Sequence, residues 1–195
     1  MGAEDVEVMG DNASREAGLI GGPEHAAIVL KEYDPGWVAR FQVEKSRIAS
    51  ALGARALRIE HVGSTSVPGL AAKPIIDILL VVQDASDEGA YVSALQRAGY
   101  VLRVREPEFY EHRMFRTPAR DVHLHVFGDR CVEVERMLAF RDRLRAHPAD
   151  RTLYEDTKRR LASRDWPTMQ DYADAKTGVV EDILRRALDR SSDRV

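Results

Sequence analysis

Apolar and polar positions along the chain follow two periods, one typical of helices and one typical of strands. Apolar side chains recur every three to four residues after Asp34-Pro35, a dipeptide typical of a helix start, and this spacing ends at Gly53. From about residue 133 onward the helical period dominates the chain. The predicted helices are residues 35–52, 86–98, 133–146, 148–165 and 168–187.

Strand-like segments occupy the first two thirds of the chain. Most alternate between apolar and polar residues, but residues 75–82 are almost continuously apolar, as expected for a strand covered on both faces. Pro118-Ala119-Arg120-Asp121 is a turn sequence that predicts a hairpin. The predicted strands are residues 28–31, 56–62, 75–82, 100–105, 114–117 and 122–127. The chain is therefore predicted to have an α+β fold, with a mixed β-sheet, flanking helices and a helical C-terminal third.

The charge distribution divides the chain into an acidic tail and one folded domain. Residues 1–27 hold six acidic residues and one basic residue, without a sustained period, which predicts a disordered tail. This tail contributes −5 to the net charge of −3, so the remainder carries +2. That charge is too small for dedicated nucleic-acid binding but suits a domain that gathers a few bases around a small anion. The single domain is predicted to span residues 28–190, with an α/β part at 28–130 and a helical part at 131–190.

Three observations predict a cytoplasmic protein without membrane partners. No apolar run approaches the roughly 20 residues that span a bilayer. The N-terminus carries acidic residues where a secretory signal would carry basic ones. The lone Cys131 has no partner for a disulfide or for a cysteine metal cage.

The most informative segment runs from His61 to Asp77 and reads His-Val-Gly-Ser-Thr-Ser-Val-Pro-Gly-Leu-Ala-Ala-Lys-Pro-Ile-Ile-Asp. Gly63 and Ser64 open a loop after a strand, where a glycine lets the backbone approach a phosphate and hydroxyl and N–H groups can donate to it. Asp77 lies early in an apolar strand, where a carboxylate is costly unless it is paired or holds a cation. Such a loop beside a carboxylate suits metal-assisted phosphoryl chemistry. The alternative is that the loop is an ordinary turn and that Asp77 is a buried acid bonded by backbone N–H groups. The spacing alone does not decide between this alternative and a phosphoryl site.

Gly63-Ser64, a spacer and an acid on the next strand resemble the opening motif of polymerase-beta-type nucleotidyltransferases. The fuller string is closely similar to GrpB proteins, and the similarity runs from about Ile28 to Ala187. Further matching stretches are Tyr33-Asp-Pro-Gly-Trp37, His123-Leu-His-Val126, Phe140-Arg-Asp-Arg-Leu-Arg-Ala-His-Pro148 and the spaced Tyr154, Lys158, Leu161, Tyr172 and Lys176. The resemblance implies a nucleotidyltransferase-like fold that binds a nucleotide or phosphorylated small molecule with a divalent metal. It also implies in-line attack on an α-phosphate, with pyrophosphate as the leaving group.

One position departs from the nucleotidyltransferase pattern. Active members present two acids on one strand face, but the second position here is Leu79, which cannot bind a metal. Period-two geometry places Asp121, His123 and His125 on one face of the neighbouring strand. We therefore predict that His123 and His125 join Asp77 as metal ligands or catalytic groups. Imidazoles favour Mn²⁺ or Zn²⁺ over Mg²⁺. An exposed polar sheet face is the alternative for the two histidines.

The remaining predicted site residues are contacts to a bound phosphate. His61 is equally expected to brace the loop, and Lys73 and Arg113 are the preferred cations, while Arg116 is less favoured. Basic residues of the C-terminal helices, including Lys158, are interpreted mostly as solvated surface charges. The predicted ligand-binding residues are His61, Gly63, Ser64, Thr65, Lys73 and Arg113.

Two other functions remain open at the level of sequence. A non-catalytic binding module would keep ligand recognition after the loss of the second acid at Leu79. A module for coenzyme A metabolism is suggested by the occurrence of GrpB-like domains joined to dephospho-CoA kinase domains. This second suggestion is an analogy between proteins and does not follow from a site.

Overall fold

A five-stranded mixed β-sheet forms the centre of the protein in a computed structural model that describes residues 18–20 and 28–192. The strands are β1 Arg58–Val62, β2 Ile76–Val82, β3 Val101–Glu106, β4 His112–Arg116 and β5 Val122–Gly128. Their order across the sheet is β1-β2-β5-β4-β3. Strands β2 and β5 are parallel, and the other neighbours are antiparallel. The predicted mixed sheet and the β4–β5 hairpin are therefore confirmed.

Helices follow the predicted order, but the helix predicted to begin at residue 86 begins only at Val92, after a short 3-10 turn at Glu88–Ala90. They are α1 Gly36–Leu52, α2 Val92–Arg97, α3 Val132–Ala146, α4 Pro148–Ala162, α5 Met169–Asp174 and α6 Thr177–Ser192. Asp34 accepts a hydrogen bond from the Gly36 N–H at 2.8 Å, which stabilises the start of α1. The single helix predicted after Thr168 is instead two helices, α5 and α6. The strand predicted at residues 28–31 is wrong, because only Lys31 pairs, in an isolated bridge to the loop residue Ala72.

The two faces of the sheet are covered unequally. On one face, α1 and α2 pack over the largest apolar cluster, which includes Ile78, Leu80 and Leu124. On the other face, the C-terminal halves of β2 and β5 pack against Val134 and Leu138 of α3. The N-terminal ends of the same two strands lie beyond α3, and their polar side chains form the candidate site described below.

A third apolar cluster joins the loop after β1 to the helical C-terminal third. Val67 and Leu70 of the loop pack with Leu144 of α3, Tyr154 of α4 and Ile183 of α6. Because these contacts are fully or nearly fully buried, α4 and α6 are fixed directly beside the loop that carries Gly63 and Ser64.

The predicted acidic tail lies outside the described residues except for residues 18–20. Leu19 forms an isolated bridge to Val104 of β3, and the Ile20 N–H donates to the Arg103 carbonyl at 2.8 Å. Among the described residues, none of the helices combines the length and apolarity needed to cross a membrane.

Candidate functional site

Asp77, His123 and His125 form a cluster at the N-terminal ends of β2 and β5. Asp77 pairs with His123 in the parallel register, and His125 lies two residues further along the same face. One carboxylate oxygen, Asp77 Oδ1, lies 3.4 Å from His123 Nδ1 and 3.9 Å from His125 Nε2. Each side chain is between 24% and 30% exposed, so a small ligand can reach the cluster from solvent. The three potential ligand atoms all lie within 4.8 Å of one another, as the atoms that bind one metal ion do.

The position of the missing second acid is filled by the core. Leu79 is fully buried and packs in the cluster beneath α3. In the register it pairs with His125, so an imidazole on the neighbouring strand lies next to the position where a second carboxylate would point. Asp121, the sequence candidate for a third acid, is turned away: its carboxylate accepts from Arg40 and Thr117, both at 2.6 Å. Asp77 is therefore the one carboxylate of this cluster among the described residues.

A buried chain of hydrogen bonds orients His125. His112 Nδ1 lies 2.6 Å from the Glu106 carboxylate, so this nitrogen carries a hydrogen and donates it. In the neutral ring the other nitrogen, Nε2, is then an acceptor, and it lies 3.1 Å from His125 Nδ1. Burial lowers the pKa of His112 despite the nearby Glu106, which favours that neutral ring. His125 therefore donates through Nδ1 and turns Nε2 toward Asp77.

Asp77 is held in its ionised form close to the loop. Burial alone would raise the pKa of Asp77, but the adjacent imidazoles of His123 and His125 outweigh it and keep the pKa well below its usual range. Gly63 has a φ of 66°, and a Cβ atom there would lie 2.3 Å from Asp77 Oδ2. A glycine is therefore required at this position both by the backbone conformation and by the approach of the carboxylate.

Lys158 of α4 reaches into the loop from the helical third of the protein. Its ammonium donates to the Ala71 carbonyl at 2.5 Å and to Ser64 Oγ at 3.1 Å, and the side chain is 3% exposed. Burial, and then the positive charge of Lys176, lower the pKa of Lys158 to about 7. The sequence interpretation of Lys158 as a surface charge is wrong, because α4 turns this face toward the β1–β2 loop.

Two more lysines lie around the ring of Tyr172. The ammonium groups of Lys73 and Lys176 lie 5.3 Å and 4.5 Å from the ring centroid. Burial and the charge of Lys176 lower the pKa of Lys73 to about 8, and burial lowers that of Lys176, while Asp77 opposes both shifts. The buried Tyr172 hydroxyl has no hydrogen-bond partner among the described residues. Lys73, Lys158 and Lys176, here called the lysine cluster, therefore lie near Asp77, whose negative charge acts on all three without offsetting their burial.

Arg113, one of the predicted ligand contacts, lies on the opposite face of the sheet from the cluster. Arg113 pairs with Val126 in the register, so it points to the face opposite His125, where it binds Glu88 at 2.7 Å. It is Arg116 that pairs with His123 and shares the face of the cluster. The sequence did not show which of the two arginines faces the cluster, because the register of β4 depends on the strand with which it pairs.

His61 and Thr65 serve the internal structure of the loop. His61 stacks on Phe41 with ring centroids 4.7 Å apart, and its Nε2 lies 3.1 Å from Thr65 Oγ1. Thr65 in turn donates to the Ile75 carbonyl at 3.1 Å. These bonds tie the start of the loop to its end, and so the bracing role is the one that the structure gives to His61.

The residues missed by sequence reasoning share a recognisable signal. Tyr154 and Lys158 are four residues apart on α4 and so occupy one helix face, and Tyr172 and Lys176 have the same spacing across the end of α5. The Lys158 ammonium lies 4.8 Å from the Tyr154 ring centroid. A lysine that continues an apolar stripe in this way indicates a buried cation. This signal is easily overlooked in helices that carry many other charged residues.

The protein is an α+β domain built on a mixed five-stranded sheet. Its polar site, at one end of the sheet, consists of the Asp77–His123–His125 cluster and the lysine cluster beside it. The sequence profile of the family described as GrpB protein matches residues 27–186. The chain belongs to the GrpB family.

Solved structures are among the proteins similar to this chain. The crystal structure of conserved protein GrpB from Enterococcus faecalis matches with a TM-score of 0.75 and 35% identity, covering 84% of this chain and 99% of that chain. A UPF0157 protein from Halalkalibacterium halodurans is 55% identical over 165 residues, which are 85% of each protein. A dephospho-CoA kinase from Mycolicibacterium paratuberculosis is 32% identical over 84% of this chain, but the match covers only 47% of that kinase.

Proposed function

We propose that this protein binds a nucleotide or another phosphorylated small molecule together with one divalent ion. The observation that carries the proposal is the juxtaposition of the Asp77–His123–His125 cluster with the lysine cluster around the same loop. The first would hold the ion and the second the phosphate oxygens. Gly63 and Ser64 lie between them.

The cluster geometry supports an ion at Asp77. Ligand atoms bound at about 2.1 Å in a tetrahedral shell lie about 3.4 Å apart, close to the separations of 3.4 Å and 3.9 Å found from Asp77 Oδ1 to the two imidazoles. His125 Nε2 faces the Asp77 carboxylate at 3.9 Å, and such a pair is stabilised by a proton or a metal cation between the two groups. One carboxylate and two imidazoles favour Mn²⁺ or Zn²⁺ over Mg²⁺.

The lysine cluster supports a phosphorylated ligand. Burial is the main cause of the lowered pKa values of the three lysines, and the positive charge of Lys176 adds repulsion at Lys73 and Lys158. A phosphate between them would relieve the repulsion and accept hydrogen bonds from Lys158 and Ser64. The unpartnered Tyr172 hydroxyl adds a donor in the same place.

Ion binding is tested by calorimetric titration with Mn²⁺ and Zn²⁺. We expect one equivalent to bind the wild-type protein, and Asp77→Asn and His123→Gln to lose this binding. Asp129→Asn, an exposed acid after β5, is the matched control and should bind as the wild type does. Equal binding by wild type and Asp77→Asn would contradict the proposed ion site.

Phosphate binding is tested separately by thermal shift with ATP and with pyrophosphate. A ligand at 100 times its dissociation constant adds about 2.7 kcal/mol of stability. Lys158→Met should lose that stabilisation, whereas Arg160→Met, an exposed base on the same helix, should keep it. If both variants respond alike, the lysine cluster is not the phosphate site.

Nucleotidyl transfer is the catalytic form of the same proposal, and the resemblance to polymerase-beta-type enzymes supports it. A bound ion would supply Lewis acidity to a phosphoryl oxygen. The lysine cluster would orient the phosphates, and Asp77 would be the one carboxylate available. Pyrophosphate release from nucleoside triphosphates with Mn²⁺, compared with Asp77→Asn, measures this activity. Release that is equal in both proteins would exclude catalysis at Asp77.

A coenzyme A precursor is a second candidate ligand, because relatives named dephospho-CoA kinase contain a region similar to this chain. Dephospho-CoA carries a diphosphate that fits the same lysines. We expect it to stabilise the wild type but not Lys158→Met. If ATP stabilises the protein and dephospho-CoA does not, the link to coenzyme A is lost while the phosphate site stands.

A further inference from the structure

A basic cavity lies on the side of the β1–β2 loop that faces away from the lysine cluster. It has a volume of about 370 Å³, which lies within the range of small-molecule pockets. Arg141, Arg145 and Arg151 line it, and Glu60 is the acid among its lining residues. Phe41, Val38 and Pro68 supply an apolar wall.

The three arginines are paired to different degrees. Arg141 is engaged by Glu60 at 2.9 Å and by Asp142 at 2.7 Å. Arg145 has the Ser66 carbonyl at 2.8 Å, and its closest carboxylate oxygen, on Asp142, is 3.6 Å away. Among the described residues, the Arg151 guanidinium has one hydrogen bond, a 3.4 Å contact to the Leu144 carbonyl. Two guanidinium groups beside the cavity therefore have donors that carboxylates of the described residues do not use.

The electrostatic environment of the cavity favours an anion. Burial, and next the charge of Arg141, lower the pKa of Arg145. Burial lowers the pKa of His61 to about 4, and the charges of Arg145 and Arg141 add to this effect. His61 is therefore neutral at physiological pH, and its ring with the stacked Phe41 gives the cavity a flat wall.

We propose that this cavity binds a phosphate monoester whose organic group lies against the Phe41 wall and whose phosphate bridges Arg145 and Arg151. A phosphate offers three oxygens, enough for two guanidinium forks, whereas a carboxylate offers two. The monoester carries a charge of about −1.5 to −2 at neutral pH. This site is distinct from the lysine cluster, because Ser64 faces Lys158 whereas Ser66 lines the arginine cavity.

Phenyl phosphate is the probe, in a calorimetric titration of the full chain carrying Asp77→Asn and Lys158→Met. These changes remove the proposed ion and phosphate site, so the remaining binding reports the arginine cavity alone. We expect saturable binding that weakens about tenfold when Arg151→Gln is added, the loss of one charge-assisted hydrogen bond. Arg160→Gln, on the exposed side of the same helix, should leave the affinity unchanged.

Arg151→Lys separates charge from fork geometry and guards against misfolding of the glutamine variant. We expect it to bind phenyl phosphate with an affinity between those of Arg151 and Arg151→Gln. Equal affinities of Arg151→Gln and Arg160→Gln would overturn the proposal. So would the absence of saturable binding in the Asp77→Asn, Lys158→Met background, whatever the wild-type protein binds at the lysine cluster.

Discussion

At the scale of single residues, the chemistry of His125 depends on His112, a buried side chain behind the cluster. His112 accepts from His125 Nδ1 and donates to Glu106, so it determines which nitrogen of His125 faces Asp77. His112 also stacks on Phe127 with ring centroids 4.7 Å apart, which fixes its plane. A histidine ligand held in this way by a buried partner is the usual arrangement behind metal sites.

Replacing His112 should weaken ion binding without removing any ligand. His112→Phe keeps the stacking on Phe127 but removes both hydrogen bonds, so His125 loses its fixed tautomer. We expect the affinity for Mn²⁺ or Zn²⁺ to fall about 10- to 100-fold, the typical effect of losing such a partner. Calorimetric titration measures the change. His147→Gln, a histidine at the end of α3, is the control, and a wild-type affinity in His112→Phe would refute the orienting role.

At the scale of elements, one buried carboxylate joins the three long C-terminal helices. Asp150, at the start of α4, accepts from Arg143 of α3 at 2.6 Å and lies 3.0 Å from Arg186 of α6. The Asp150 and Arg143 side chains are 11% and 13% exposed, so this ion pair is shielded from water, while Arg186 is 39% exposed. Because α4 carries Lys158, this junction also determines how the lysine reaches the loop.

Removing Asp150 should therefore destabilise the whole helical third. Asp150→Ala leaves two arginines without their shared partner in a largely buried position. We expect the free energy of unfolding to fall by about 3 kcal/mol, measured by urea denaturation. Asp182→Ala breaks an exposed pair with Arg185 on α6 and should change the value by less than about 1 kcal/mol. If the two variants lose the same stability, the junction has no special role.

At the scale of the whole molecule, the site is shared between two parts of the chain. The sheet supplies Asp77 and the histidines, α4 supplies Lys158, and the turn between α5 and α6 supplies Lys176. The Lys158–Ser64 hydrogen bond joins residues 94 positions apart. Neither part alone contains a complete site, and so ligand binding should depend on the protonation of the helical part.

Anion affinity should fall as the pH rises through neutrality. The pKa values of about 7 for Lys158 and about 8 for Lys73 mean that both lysines are protonated on the acidic side and lose their charge above it. Sulfate is a suitable probe because its charge is constant from about pH 6 to about pH 9. We expect its dissociation constant to increase steadily over that range and Lys158→Met to flatten the curve.

Stability without ligand should change in the opposite direction. Between pH 7 and the ordinary lysine pKa of 10.5, the unfolded chain binds a proton at Lys158 that the native protein does not. The contribution of Lys158 to the free energy of unfolding therefore rises with pH in this window. In the sulfate titration described above, a dissociation constant that does not change with pH would show that Lys73 and Lys158 do not bind the anion.

Most of the secondary structure was accessible from the sequence because it depends on neighbouring residues. The apolar period placed β2 within one residue and α3 within one residue of their observed bounds. The loop with Gly63 and Ser64 and the acid at Asp77 were also recognisable, because glycine and a carboxylate in an apolar strand each carry a local cost. The strand predicted at residues 28–31 failed since strand pairing needs a partner that no local pattern supplies.

The sequence by itself therefore determined the order of helices and strands, the family and the Asp77–His123–His125 combination, which follows from alternation along β5. Only the tertiary structure decided which basic side chains lie beside these three residues. Lys158 was hidden among surface charges and Arg113 was preferred over Arg116, because helix orientation and strand register are set by long-range packing. The same packing buries Leu79, brings Tyr172 and Lys176 over the loop and completes the site from both halves of the chain.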